Sequence, residues 1–352
     1  MKTYLVTGGA GFIGSNFIIY ILNKYNDIKV INVDKLTYAG NLENLRSVEN
    51  DANYKFIQAD ICDKASIEKI FIENDIDYVV NFAAESHVDR SISDPEIFVK
   101  TNVFGTVNLL NIARQSWQVG EDKYRYGVKY LQVSTDEVYG SLGKIGFFTE
   151  KTPLDPHSPY SSSKASADLF VKAYSDTYKM PVNITRCSNN YGPFQFPEKL
   201  IPLMINSVLS HKSLPIYGDG MQIRDWLYVE DHCKAIDMVI NNGDLGEIYN
   251  IGGHNERTNI TIVKTIINYI KDNIDDEVSE GLIRYVKDRK GHDRRYGIDP
   301  KKIRDSLGWF PETKFDIGIK KTIEWYLDNK EWMNNVTNGN YQRYYDLMYS
   351  NK

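Results

Sequence analysis

The chain of 352 residues lacks most of what holds small secreted proteins together. Its three cysteines, Cys62, Cys187 and Cys233, are odd in number, widely spaced and free of any C-x-x-C pair. That argues against a disulfide framework and against a zinc site of the usual spacing, and it suits a reducing cytoplasm. The six histidines form no H-x-x-x-H or comparable ligand set, so no metal is expected. Long apolar runs are missing too. Phe17 to Leu22, in the first helical pattern, falls far short of the ~18 residues that would span a bilayer. The opening Thr3-Tyr4-Leu5-Val6-Thr7 reads as a strand, where an export signal would need a basic region and a longer apolar stretch. Charge of one sign is scarce, with a net of only −5 and no basic cluster. Nucleic acid and anionic membranes are therefore poor partners, although one anionic ligand in a local pocket is still allowed. There is no internal repeat and no low-complexity segment.

What is present is the composition of a globular protein, 42% hydrophobic and 25% charged, in a chain long enough for two domains. Short β-rich runs alternate with helical patterns. Tyr4 to Thr7, Lys29 to Asp34, Tyr54 to Asp60, Tyr78 to Ala84, Lys129 to Ser134 and Val182 to Ser188 read as strands of a parallel sheet covered on both faces. After about Asn190 the rhythm weakens, and Pro193, Pro197, Pro202 and Pro215 punctuate loops. Asp225 to Val229 and Ile248 to Gly252 look like strands flanking a helix from about Val229 to Asn241, which predicts a return to the sheet. The expected organisation is thus a dinucleotide-binding domain over 1–190, rejoined by 225–252, and a substrate domain from 191–224 and 253–352. Ile317, Ile323, Trp325 and Tyr326 fall in a helical pattern read as core. The tail after Asn334 is polar and aromatic.

Thr7-Gly8-Gly9-Ala10-Gly11-Phe12-Ile13-Gly14 follows the first strand and opens a helix. Gly8 can take the tight turn, Gly11 lets the backbone approach a pyrophosphate, and Gly14 permits close helix-to-sheet contact, while the helix N-terminus offers free N–H groups and partial positive charge. Asp34 ends the second strand twenty residues after Gly14, where its carboxylate can accept hydrogen bonds from ribose hydroxyls. That selects NAD, because a 2′-phosphate ~4 Å away would be repelled by ~4 kcal/mol per unit charge at an effective dielectric near 20. Lys35 next door tempers the inference. Asp60 and Ala83-Ala84-Glu85-Ser86 lie at the carboxyl ends of the third and fourth strands, where open α/β folds bind ligands.

Ser134-Thr135-Asp136-Glu137 closes the fifth strand on the same edge, and Tyr160-Ser161-Ser162-Ser163-Lys164 opens the next helix. Residues four apart share a helical face, so Lys164 can sit beside Tyr160. A phenol must drop ~3 units to act as a base near neutrality, and two cations, Lys164 and the nicotinamide ring of NAD⁺, have the right sign to lower it. On the residues alone, Asp136-Glu137 also suits an acidic helix cap.

The glycine pattern, Tyr160/Lys164 and strand-end Thr135 resemble the extended short-chain dehydrogenase/reductase family. Within it Ser134-Thr135-Asp136-Glu137-Val138-Tyr139-Gly140, Arg186 to Pro193, Tyr217 to Gly220 with Arg224-Asp225-Trp226, and Gly291 to Tyr296 resemble the nucleotide-sugar dehydratases, over nearly the whole chain. The resemblance implies a Rossmann-type doubly wound parallel sheet with a smaller, mainly C-terminal α/β substrate domain. It implies an NAD-dependent lyase acting on a nucleotide diphosphate sugar, dTDP-glucose. The C4 hydroxyl is oxidised, water is eliminated across C5 and C6, and hydride returns to C6 to give a 4-keto-6-deoxy sugar. Tyr160 and Lys164 serve the redox step, Thr135 polarises the C4 oxygen, Glu137 is the C5 base and Asp136 the acid for water loss. Cofactor contacts are expected from Gly8, Gly11, Phe12, Ile13, Gly14, Asp34, Lys35, Leu36, Thr37, Asp60, Ile61, Phe82, Ala83, Ala84, Ser86, Thr101, Tyr160, Lys164 and Asn190. The resemblance places Ser86, Thr135, Asn189, Lys199, Leu200, Pro215, Ile216, Tyr217, Arg224, Asn259, Asp293, Arg294, Arg295, Tyr296 and Gly297 around the sugar nucleotide. Arg224 suits the diphosphate because its planar fork can bind two phosphate oxygens.

Most apolar residues of the helices Pro95 to Arg114 and Tyr160 to Tyr178, including Phe98, Val103, Leu109, Leu110, Leu169 and Phe170, read as core. In the family the corresponding helices meet symmetry mates, which implies a homodimer. Rival functions are a UDP-sugar 4-epimerase, which has no need of Asp136-Glu137, a catalytically silent NAD-sensing protein, and another nucleotide-sugar dehydratase or decarboxylase.

Overall fold

The computed structural model describes residues 1–337. Seven parallel strands form the central sheet, in the order Ile248–Ile251, Val182–Cys187, Lys129–Thr135, Tyr78–Asn81, Lys2–Thr7, Ile28–Asp34, Tyr54–Gln58. Strand order reverses between Lys2–Thr7 and Tyr78–Asn81, and ligands in such sheets bind outside the carboxyl ends at that switch point. Val6, Val30 and Leu131 point to one face, where they pack with Phe17 and Ile18 of the helix Phe12–Lys24 and Ile236 and Val239 of the helix Val229–Asn242. Leu5, Ile31, Val79 and Tyr130 point to the other and meet Ile67, Leu109, Trp117 and Val171 from three further helices. Burial on both faces explains why these strands read as nearly continuous apolar runs rather than as alternating ones.

Two expected strands end early. Tyr54–Gln58 and Tyr78–Asn81 leave the ladder before Asp60 and Ala84, and the freed residues turn over the sheet edge. A larger difference concerns 225–252. Ile248–Ile251 does join the large sheet, with Ile251 opposite Cys187, and the helix Val229–Asn242 packs on its face. Ile223–Tyr228 does not. It pairs in parallel with Asn189–Tyr191 and antiparallel with Glu256–Thr258 in a separate sheet. Its Trp226 and Tyr228 are buried in a second core with Tyr191, Ile205, Ile216, Ile262, Ile266, Ile323 and Tyr326. A β-rich run states that a strand forms, but not which neighbour supplies its partners.

The expected helix Pro95 to Arg114 is interrupted: Val99–Gly105 adopts π geometry between Pro95–Phe98 and Thr106–Trp117. Phe98, Leu109 and Leu110 are buried and Val103 is half-buried, whereas Leu169 and Phe170 are exposed at 60% and 42%. Ile317 is also exposed, unlike Ile323 and Tyr326. The tail beyond residue 337 lies outside the described residues. Among those described, no helix is long and apolar enough to cross a membrane.

Candidate active site

Gly8 has φ +70°, a left-handed conformation that glycine adopts without strain. A Cβ there would lie 2.6 Å from the backbone nitrogen of Ala83, so the turn is pressed against the neighbouring strand end. Gly11 is the N-cap of the helix Phe12–Lys24; no side chain caps it and no acidic residue stands in its first turn. The result is a cradle with unclaimed N–H groups and a positive dipole end, suited to a pyrophosphate.

Asp34 closes the second strand beside it. Its carboxylate accepts from Ala10 N at 3.0 Å and from Leu36 N at 2.8 Å, and burial raises its pKa. Leu36 takes a left-handed φ of +58° to make that turn. Lys35 is engaged elsewhere, its Nζ lying 2.7 Å from Asp60 Oδ2. Burial would raise the Asp60 carboxyl, but the Lys35 hydrogen bond holds it below the usual range. The lysine that tempered the choice of NAD is therefore already paired with a carboxylate.

A cavity of about 310 Å³ runs along the sheet edge from this turn to the fifth strand. It is lined by Gly8, Gly11 to Gly14, Asp34, Lys35, Thr37, Asp60, Ile61, Phe82, Ala83, Ala84, Ser86 and Thr101 at one end, and by Thr135, Asp136, Glu137, Tyr160, Lys164, Asn189, Asn190 and Lys199 at the other. The π segment carries Thr101 to its wall. Next to it Asn102 is buried, accepting from Glu85 N at 2.8 Å and donating to Glu85 O at 3.0 Å and to Ser163 Oγ at 2.8 Å. One amide thus ties the fourth-strand loop to the helix that bears Tyr160.

Thr135 Oγ1 accepts from Glu137 N at 3.3 Å and so caps the short turn Asp136–Tyr139. Capping falls to the threonine, which leaves the two carboxyl groups available. Asp136 is buried, its Oδ2 has no hydrogen-bond partner among the described residues, and its pKa stands well above the usual range because of burial first and then the charges of Glu137 and Asp225. Burial also raises Glu137, but Arg289, Arg224 and Lys199 oppose it. The pair is therefore unequal: burial raises both carboxyls, Asp136 well above the usual range, while at Glu137 three cations oppose the rise.

The helix Pro159–Tyr178 starts with a capping box between Ser158 and Ser161 and with Pro159 in its first turn, which fixes Tyr160 one step inside. Tyr160 is buried and packs edge-on against Phe98. Lys164, one turn on, donates to Val133 O at 2.7 Å, and burial lowers its pKa. The expected lowering of the phenol does not come from the chain itself. Burial, followed by the Glu137 charge, pushes the Tyr160 pKa well up, and a hydrogen bond with Thr135 only partly offsets this.

The remaining expected residues divide. Lys199 donates to Ser86 O at 2.8 Å, tying the segment after Pro197 to the fourth-strand loop at the cavity. Asn190 Oδ1 is held by His232 Nδ1 at 2.9 Å. Arg224 is buried, donates to Ile223 O and Asp293 O, and stacks 4.2 Å from the Tyr296 ring; no carboxylate among the described residues pairs with it. Tyr217 OH meets Asp89 at 3.3 Å. Leu36, Leu200, Pro215, Ile216, Tyr217, Arg224, Asn259 and Asp293 to Gly297 do not line the cavity, and Ile216 belongs to the second core. Arg294 and Arg295 turn away: Arg294 pairs with Asp219 at 2.8 Å and Arg295 with Glu256 at 2.6 Å. Besides Arg224, the arginine that acts on Glu137 is Arg289, whose Nε is buried without a partner among the described residues. It stands just before the run Gly291 to Tyr296, and nothing in the spacing tells which of three arginines turns inward. Gln195, Phe196 and Glu198 also line the cavity, and no motif in the chain marks them; Glu198 accepts from Tyr38 OH at 3.0 Å, and Arg90 Nε lies 3.4 Å away.

A glycine cradle at the switch point of a parallel sheet, with Thr135, Tyr160 and Lys164 gathered over its edge, defines an extended short-chain dehydrogenase/reductase. The chain belongs to the GDP-mannose 4,6 dehydratase family, whose model it matches over residues 5–322, and it is highly similar to dTDP-glucose 4,6-dehydratases. It is 52% identical over 348 residues to the dTDP-glucose 4,6-dehydratase of Neisseria meningitidis serogroup B, covering 97% of this chain and 98% of that one. The crystal structure of dTDP-glucose 4,6-dehydratase from Bacillus anthracis str. Ames in complex with NAD superposes with a TM-score of 0.85 at 50% identity, covering 94% of this chain and 98% of that one. A UDP-glucose 4-epimerase from Thermotoga maritima shares the fold at a TM-score of 0.82 but only 30% identity, covering 94% of this chain and 100% of that one.

Proposed function

We propose that the chain is an NAD-dependent dTDP-glucose 4,6-dehydratase. The observation that carries this reading is the unequal pair beside Tyr160, with Asp136 biased toward its acid and Glu137 faced by three cations. A 4-epimerase has no use for such a pair, and identity to the dehydratases is far higher than to the epimerase.

The glycine cradle and Asp34 fit NAD: the turn has no Cβ in the way, the helix N-terminus is uncapped by any side chain, and Lys35 is neutralised by Asp60. Bound NAD⁺ supplies a hydride acceptor that later returns the hydride, together with a positive ring charge. Tyr160 takes the proton of the C4 hydroxyl, assisted by Thr135, and Lys164 holds the cofactor ribose. Once C4 is a ketone the C5 hydrogen is acidified, and Glu137 removes it. Asp136 gives its proton to the departing C6 hydroxyl, which leaves as water. Glu137 then returns a proton to C5. Arg224, Arg289 and Lys199 suit the diphosphate, Arg224 because it is a buried cation that no described carboxylate pairs.

The same reading divides the chain into a cofactor lobe built on the large sheet, with the helix Val229–Asn242 and the strand Ile248–Ile251, and a substrate lobe built around the second core, where Trp226 and Tyr228 of the strand Ile223–Tyr228 are buried. Exposed Val99, Phe104, Leu169 and Phe170 support pairing of two copies through their helices, and unpaired cysteines support a cytoplasmic setting.

The test is incubation of purified protein with NAD⁺ and dTDP-glucose. A product lighter by one water, seen by mass spectrometry, is expected; an unchanged mass with a galactose-configured sugar would overturn the reading in favour of epimerisation.

A further inference from the structure

His157 stands two residues before the helix that carries Tyr160, on the cofactor lobe, and reaches across to the segment 291–297 of the other lobe. Its Nδ1 donates to Asp293 Oδ1 at 2.6 Å. The second oxygen of Asp293 accepts from Tyr296 OH at 2.6 Å, and the Asp293 carbonyl accepts from Arg224 at 3.0 Å. The Tyr296 ring in turn supports the Arg224 guanidinium at 4.2 Å. A half-exposed imidazole is thereby joined, through a buried carboxylate and a buried phenol, to a buried arginine that no described carboxylate pairs. We propose that His157 is a positioning residue whose protonated ring locks Asp293 and Tyr296 and so sets Arg224 for the substrate diphosphate, tightening substrate binding at lower pH.

The groups facing His157 are Asp293 on Nδ1 and Asp155, 3.4 Å from Nε2, both acidic. The hydrogen bond to Asp293 comes first among the influences that raise the imidazole pKa, against the opposing effect of burial. The ring is therefore charged over a wider pH range than a free histidine, and the ion pair is lost as pH rises through its raised pKa. Its protonation also offsets the Asp293 charge, which otherwise opposes an anion at Arg224. Because His157 is one coupling removed from the substrate and touches no reacting atom, it should act on KM and leave kcat alone.

This inference rests on the dehydratase reading. The experiment is the KM for dTDP-glucose between pH 6 and pH 8.5, for the wild-type holoenzyme and for His157→Asn, which keeps a neutral donor. The wild-type KM is expected to rise ~3-fold over that range, as for a partly exposed ion pair, while the variant stays flat near the wild-type value at high pH with kcat within about twofold. Coincident KM profiles, or a kcat loss in the variant equal to its KM change at every pH, would overturn the positioning role while leaving the dehydratase reading intact. Absence of turnover in the wild type at every pH would overturn the reading itself. A denaturation midpoint measured for both proteins separates a folding defect: with a lowered midpoint, His157→Gln is substituted, and a pH-dependent KM in that variant as in wild type would also overturn the role.

Discussion

Asp136 and Glu137 are neighbours in the chain but differ in what surrounds them. Asp136 has one oxygen without a partner among the described residues and two acidic neighbours in Glu137 and Asp225, while Glu137 faces Arg289, Arg224 and Lys199. In the proposed mechanism, the group that gives a proton and the group that takes one are thus separated by environment rather than by residue type. If that division holds, Glu137→Gln lowers turnover by ~10²- to 10⁴-fold yet leaves C4 oxidation. Single-turnover absorbance of reduced cofactor checks it; equal loss of both steps would sink the division. A second expectation concerns pH. Burial raises the Glu137 pKa, and the base must be ionised, so turnover falls as pH drops through a value above the ordinary glutamate range. Arg289 opposes that rise, so Arg289→Gln is expected to move the acid limb of the pH–rate profile upward by roughly one unit. An unmoved limb would show that Arg289 does not act on Glu137.

At the scale of elements, the turn between the first strand and the first helix shows how much a short segment can specify. Gly8 combines φ +70° with a backbone nitrogen 2.6 Å from any added Cβ. Both the strain and the clash fall on Gly8→Ala, whose NAD affinity is expected to drop at least ~10-fold, given the ~1–2 kcal/mol cost of a left-handed non-glycine residue alone. Calorimetric titration with NAD measures it, and an unchanged Kd would contradict the cradle. This turn was readable because its glycine spacing and the strand and helix on either side of it are local, whereas the wall it presses on, Ala83, is distant in sequence. The π segment Val99–Gly105 was not, since it depends on Asn102 reaching the Glu85 backbone and Ser163, distant in sequence. The strand Ile223–Tyr228 was recognised as a strand, but its partners were not, because side-chain periodicity carries no address for a neighbour.

Across the whole molecule, the second core is bolted to the cofactor turn. Trp332, in the helix Lys330–Val336, packs against Phe194, Trp325 and Tyr326 and donates to Asn44 Oδ1 at 2.7 Å. Asn44 is buried and itself donates to Ala10 O, inside the glycine turn. Trp332→Phe preserves most of the packing but leaves the Asn44 oxygen unpaired, at a cost of ~1–3 kcal/mol. Urea unfolding is expected to show that loss, accompanied by a few-fold weaker NAD binding. A stability loss without any change in NAD affinity would show that the link does not reach the turn. Such a connection joins the chain's last described helix to its first turn, and no sequence pattern announces it.

Features set by contacts within a few residues were legible in the chain alone: the glycine turn, the acid at the end of the second strand, the tyrosine and lysine one helical turn apart, and the strand-end Thr135 with its two carboxyl groups. The alternation of strands and helices was legible as well, because burial on both faces imposes its own composition. Which of these groups is charged was settled only by folding. Desolvation and Coulomb interactions depend on distance in space, so the preference of Asp136 for its proton rests on burial and on the charges of Glu137 and Asp225, while Arg289, Arg224 and Lys199 oppose the rise that burial gives Glu137. For the same reason Arg289 turns inward while Arg294 and Arg295 are claimed by Asp219 and Glu256. Three arginines in one short run are interchangeable to a reader of the chain, and only the carboxylates brought up by folding tell them apart.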